Sequence, residues 1–246
     1  MTEKRGMTHI EIVLSFVIFV VALAFALIFF SPGSGDRLID SSLVYVLREI
    51  EKNTSHDFIV ISVSINNEKI GDDESEGDEI HVINIEIEGI ENEKMKTSAW
   101  TIDGTSLKSA RLGDFVFIED GSERWVDIEF IMIMFNEEFE DDTVNEGVFQ
   151  EEYYDIASSE SKKVISERKF IELAKEYEED YARLKESFNL PARVNFEFSL
   201  QFSNSESIIA KKEIPENLEV FTEKKRVEVL RENNEVVFAD LMVGVW

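Results

Sequence analysis

The longest uninterrupted apolar stretch of the chain runs from Ile12 to Phe30, nineteen residues in which Ser15 is the only polar side chain. As a helix it would extend about 28 Å, the thickness of a bilayer's hydrocarbon core, and it is apolar on every face where a buried core helix would carry a polar stripe. The pattern predicts a transmembrane helix over residues 7–31. Ser31-Pro32-Gly33-Ser34-Gly35 then breaks the helix, because proline lacks a backbone donor and the glycines add conformational freedom. Leu38, Ile39, Leu43, Val46, Leu47 and Ile50 recur at steps of three and four, so a short stem helix restarts near Asp36, with Ser34 or Asp36 as its cap; residues 32–54 read as hinge and stem.

From Phe58 to Phe135 the period changes to two. Strands are predicted at 58–65, 80–88, 98–102, 115–118 and 125–135, with Asp103-Gly104 and Asp120-Gly121 as hairpin turns. Two acidic runs interrupt the pattern, at 71–79 and at 136–146, and both read as solvated loops or linkers. The first fails as an EF-hand, since numbering from Asp72 puts Ile83 where a bidentate glutamate belongs. One long amphipathic helix comes next, with Val164, Phe170, Leu173, Ala174, Tyr177, Tyr181, Leu184 and Phe188 on one face, ended by Asn189 and Pro191. Val194 to Phe202 alternates without a break, and 227–230 with 236–245 flank a hairpin at Asn233-Asn234. A last strand packs Trp246 against the sheet. The expected fold class is α+β: an N-terminal transmembrane helix, a short stem helix, and a β-rich antiparallel head over 55–246 containing one long amphipathic helix, in one lobe or two (55–135 and 150–246).

Charge changes this picture by its location. Against 25 Lys and Arg stand 52 Asp and Glu, a net charge of −27. The first 31 residues hold Lys4, Arg5, Glu3 and Glu11 and sum to zero, so the whole excess belongs to the head. Such a surface excludes nucleic acid as a partner, because phosphate binding needs a basic face to displace counterions. With 43% apolar and 11% aromatic residues, the acidic part nevertheless has the material for a core. The chain has no cysteine and three histidines, His9, His56 and His81, none at helical zinc spacing. There is no phosphate loop and no nucleophile elbow either, so the sequence reads as a non-enzyme without cofactor or metal. Lys4 and Arg5 precede the apolar helix and orient it with the acidic head outside, a single-pass membrane protein with an extracellular ectodomain; a cleaved secretory signal is the alternative reading of the same segment.

The residues entering the helix are Lys4-Arg5-Gly6-Met7-Thr8-His9-Ile10-Glu11, continued at once by Ile12-Val13-Leu14. A basic pair, a glycine, a glutamate five residues later and an unbroken apolar helix together resemble the class III signal of archaeal type IV pilin-like proteins. The resemblance covers about the first 30 residues. It implies a cytoplasmic leader, 1–6, cut between Gly6 and Met7 by a prepilin-type peptidase, and a mature chain with Glu11 as its fifth residue. A carboxylate at the start of an apolar helix is costly unless paired, and the new Met7 amine of a neighbouring subunit would pair with it. The implied function is a structural subunit of a type IV pilus-like cell-surface filament, major, minor or tip, with the membrane, the peptidase and other pilin-like subunits as partners. Against it stands a non-polymerising, membrane-anchored extracellular binding protein, in which Glu11 merely sits at the lipid interface. Asn53-Thr54-Ser55 is an N-x-[ST] sequon, a glycosylation acceptor if the head is external.

Overall fold

Two helices open the chain, α1 (Lys4–Phe29) and α2 (Ser34–Thr54). The computed structural model describes residues 4–29, 34–75, 81–120, 124–144 and 153–246. The spacing of apolar residues in α2 has its expected consequence: Leu43, Val46, Leu47 and Ile50 are buried, and Val46 and Ile50 are fully enclosed. They pack on the sheet and on a later helix, so α2 is built into the head and does not stand off it as a stem. It ends at Thr54, and β1 (Ser55–Ile65) begins at the next residue with no loop between them.

After β1 come α3 (Asn67–Ser75), β2 (Val82–Glu86), β3 (Lys96–Thr101), β4 (Ser106–Leu112), β5 (Phe115–Glu119) and β6 (Phe130–Asn136). The chain continues through β7 (Tyr154–Ser166), α4 (Glu167–Glu179), α5 (Tyr181–Ser187), β8 (Phe196–Phe202), β9 (Ser207–Ala210), β10 (Phe221–Leu230) and β11 (Val236–Val245). The strands form one eleven-stranded sheet in the order β2-β5-β4-β3-β6-β1-β7-β10-β11-β8-β9. Every pairing is antiparallel except β7 with β10, which is parallel and limited to Val229 opposite Ile165 and Leu230 opposite Ser166.

That short junction separates two hydrophobic cores. The first gathers Ile61 and Val63 of β1, Ile83 and Ile85 of β2, Ile118 of β5, Ile131 and Ile133 of β6, and the fully buried Trp125. The sheet rolls around it, bringing its first strand to the start of β7: the Glu86 N–H donates to Tyr154 Oη at 2.9 Å. The second core lies between one face of β8–β11 and the helices α2, α4 and α5. Perfect alternation in β8 turns Phe196, Phe198, Leu200 and Phe202 inward, where Phe198 meets Phe170 edge to face at 5.3 Å. Two tyrosines satisfy the first residue of that strand: Tyr177 Oη donates to the Phe196 carbonyl at 2.6 Å, and the Phe196 N–H donates to Tyr181 Oη at 3.1 Å. Phe58, Phe139, Val164 and Leu230 form a third, small cluster at the junction itself.

Several expectations are corrected. The fold is dominated by one continuous sheet, not by two β blocks held apart by a long helix, and the large β domain is unlike a pilin organised around its helical N-terminus. The predicted long helix is two short ones: Asp180, at φ −145° and ψ 67°, ends α4 and caps α5 by accepting from the Arg183 N–H. Val164, assigned to that helix from its spacing, belongs to β7. The acidic stretch from Asp72 to Ser75, expected as loop, continues α3, while 76–80 lie outside the described residues. Residues 137–142 are loop, one of the two readings expected, but a loop packed on the head and not a linker between lobes, for Phe139 is buried, Lys96 Nζ reaches Asp141 at 2.6 Å and the Ser109 N–H donates to Asp142 at 3.0 Å.

The membrane expectation is corrected as well. Among the described residues no helix is long and apolar enough to cross a membrane. Single-pass anchoring is therefore not supported. The orientation argument from Lys4 and Arg5, and the extracellular placement of the head that rested on it, depended on that span and go with it. The hinge expected at 31–35 lies in part outside the described residues.

Candidate functional site

Lys4, Arg5, Gly6, Met7 and Glu11 fall in the first turns of α1, and their side chains lie outside those described. The next turns of the helix are defined by their apolar surface. Eleven large apolar side chains between Ile12 and Phe25 are 45–66% exposed, and because they include 12–14 and 16–21 in unbroken succession they face every direction around the helix. An exposed apolar surface of this extent on one element marks an interaction site, since isolated exposed apolar residues are normal but a contiguous apolar cylinder is not.

Asn53 stands in the last turn of α2. It is exposed, with its amide donating to the Glu49 carbonyl at 2.7 Å, whereas its neighbour Thr54 is buried and donates to the Ile50 carbonyl at 2.8 Å. Asn53 is near the end of α2, whereas Lys4, Arg5 and Gly6 are at the start of α1.

A polar cluster that sequence reasoning missed ties the two cores together. Glu138, drawn from the acidic run after β6, accepts Ser166 Oγ–H at 2.8 and 2.9 Å, lies 2.8 Å from His56 Nε2, and pairs with Arg168 at 3.2 Å. Ser166 is also the N-cap of α4, accepting the Lys169 N–H at 3.1 Å, and Lys169 Nζ lies 3.4 Å from His56 Nδ1. Next to it the buried Glu167 holds Arg231 Nε at 2.9 Å and accepts the Glu232 N–H at 3.2 Å. Arg231 stacks over Phe202 at 4.3 Å and reaches Glu206 at 3.0 Å. Asn204 first, and then Arg231, hold the Glu206 carboxyl below its usual range, and an Asn92 hydrogen bond does the same for Glu137.

A serine, a histidine and a glutamate thus converge, but in an order that does not make a nucleophile. The carboxylate sits between the other two, the hydroxyl donates to it directly, and Ser166 is fully buried. The adjoining cleft, of about 370 Å³, is lined by Glu138, Glu140, Arg168, Leu230, Arg231 and Asn234. These groups close on one another, so the arrangement fastens strands of both cores together. Among the described residues no group of three or more His, Asp or Glu is placed to hold a metal ion.

No protein-family model, no curated protein and no solved structure matches this chain.

Proposed function

We propose that this chain is a pilin-like structural subunit that joins a pilus-like filament through α1. The observation that carries the reading is the exposed apolar cylinder from Ile12 to Phe25 attached to a head that holds the entire net charge of −27. Heads of that charge repel one another, so association has to be driven by the helix. Covering eleven half-exposed side chains is worth on the order of 10 kcal/mol, comparable with the cost of immobilising a subunit. The occupant that meets all faces of such a helix at once is a bundle of the same helix from neighbouring copies. On this reading a prepilin-type peptidase cuts between Gly6 and Met7, and the freed Met7 amine pairs with Glu11 of the next subunit, which sets the axial stagger.

Intact-mass analysis of protein purified from its native host tests the processing step: the expected chain starts at Met7, and a chain retaining Met1 refutes it. Electron microscopy tests assembly. Glu11→Val is expected to leave folded, processed subunits that fail to form ordered filaments, and filaments indistinguishable from wild type would overturn the pairing.

A further inference from the structure

Antiparallel register divides the side chains of β3, β6 and β1 between two faces of the sheet. Ala99, Ile131, Ile133, Ile61 and Val63 turn into the first core. On the opposite face Trp100, Met132 and Ser62 form one cross-strand row and Ser98, Met134 and Val60 the next, with Phe130 beside Ser64 beyond them. None of these side chains is ionisable, although residues 55–150 hold 25 acids and only six bases. The Trp100 indole donates to Ser98 Oγ at 2.9 Å, so its polar group is satisfied within the face and the ring is left as apolar surface. Phe130 is 40% exposed, and Ile102, the next position of the alternation after Trp100, is 73% exposed. Aromatic residues and methionine without charge are the composition of an interface centre.

The chain itself covers this face at one end. Phe58, two residues before Val60 on the same face, is 1% exposed under Phe139, with ring centroids 6.0 Å apart, and Val60 and Met134 pack at the margin of that cluster. Both edges of β6 and of β1 are taken up by neighbouring strands, so an occupant of the remaining face adds no strand and docks by side chains alone. Helices do so on the other half of the sheet, where α2 and α4 close the second core. Charge at the margin selects the kind of helix. The neighbouring bases Lys96, Lys108 and Lys162 are already paired, with Asp141, Glu119 and Glu228 in turn. Four acids are exposed without an ion-pair partner among the described residues: Asp103 next to Ile102, Glu129 next to Phe130, Asp155 opposite Ser64 and Glu160 opposite Val60. A second copy, or segments 76–80 and 145–152 with three acids each and no base, would set carboxylate against carboxylate.

We propose that the face of Trp100, Phe130, Met132 and Met134 docks a basic amphipathic helix of a partner protein. The apolar stripe of that helix covers the aromatic and methionine side chains, and Lys or Arg flanking the stripe meets Asp103, Glu129, Asp155 and Glu160. The small serines between the large side chains let a helix lie close to the sheet. This docking is independent of α1 and of filament formation.

The probe is a capped fourteen-residue peptide of leucine and lysine with the leucines at helical spacing, titrated into the full chain and followed by nuclear magnetic resonance of isotope-labelled methionine methyl groups. An isomer with the leucines dispersed around the helix and a copy with glutamate for lysine serve as controls. Saturable shifts of the Met132 and Met134 signals with the first peptide alone support the proposal, while Met95 in the first core and Met242 on β11 stay in place. The double variant Ile102→Lys, Glu160→Lys alters two exposed positions and should weaken binding on the order of tenfold without moving the unfolding midpoint. Equal shifts with the dispersed isomer would reduce the face to a charge patch and overturn helix docking; equal shifts with the glutamate copy, or no binding at millimolar peptide, would overturn it too. Binding that survives the double variant and is weakened by Phe19→Ser would place the peptide on α1, and a full-chain dimer that Ile102→Lys dissociates would assign the face to a second copy; either result overturns the proposal.

Discussion

Replacing Glu138 should loosen the connection between the two cores more than its place in an acidic run suggests. Its side chain is only 10% exposed and meets Ser166, His56 and Arg168 at 2.8 to 3.2 Å. In Glu138→Ala the hydroxyl of the fully buried Ser166 loses its acceptor and His56, 12% exposed, loses its carboxylate, whereas Arg168, 56% exposed, turns to water at little cost. The unsatisfied buried donor alone costs about 1 to 3 kcal/mol. Glu138→Gln keeps an oxygen for Ser166 and should cost about half as much. Ser166→Ala also removes the cap of α4, which adds about 1 kcal/mol, and the double variant should fall short of the sum because both changes break the same bond. Urea unfolding of the full chain measures these values. Trp125 reports the first core, and Trp246, beside β8, reports the second. In Glu138→Ala the two probes should separate. A wild-type midpoint with coincident transitions would refute the reasoning.

Packing elsewhere in the head sets three more expected outcomes. Burial holds the Tyr177 hydroxyl well above its ordinary range, and Tyr181 is raised for the same reason, so both stay neutral when folded while the unfolded tyrosines ionise near pH 10. This stabilisation is complete below that pH and is lost above it, by about 1.4 kcal/mol per pH unit for Tyr177; Lys185, lowered by burial, acts with the opposite sign, so the test is the difference between wild type and Tyr177→Phe, whose unfolding free energy should decline less steeply above pH 10. Ile50→Ala empties a fully buried position under α2 and should cost about 3 kcal/mol by urea unfolding, whereas Val44→Ser on the exposed face of the same helix should stay within about 0.5. Gly104 holds φ at 92° in the β3–β4 turn with nothing crowding it, so Gly104→Ala should cost about 1 kcal/mol from backbone strain alone, seen as a lower thermal midpoint.

Local patterns were legible where one face of an element meets one core. The spacing of Leu43, Val46, Leu47 and Ile50 in α2, and the alternation from Phe196 to Phe202, report a buried face directly. The architecture was not legible, because it depends on β7. Tyr154 to Ser166 reads Tyr-Asp-Ile-Ala-Ser-Ser-Glu-Ser-Lys-Lys-Val-Ile-Ser and is exposed on both faces for most of its length, so it carries neither alternation nor a helical period. Its conformation comes from an eleven-residue pairing with β1, about a hundred positions away, and without it the sheet falls into the two blocks that were expected. Glu138 was hidden for a related reason. Nothing distinguishes one glutamate of an acidic run from its neighbours until the fold closes Ser166 and His56 around it.

The absence of a loop between Thr54 and Ser55 has a mechanical consequence. Helix α2 is fastened by its apolar face to the second core, yet its last peptide bond leads straight into β1, a central strand of the first. No slack separates the two. A pull on α2 is passed directly to the middle of the sheet, so it strains both cores together.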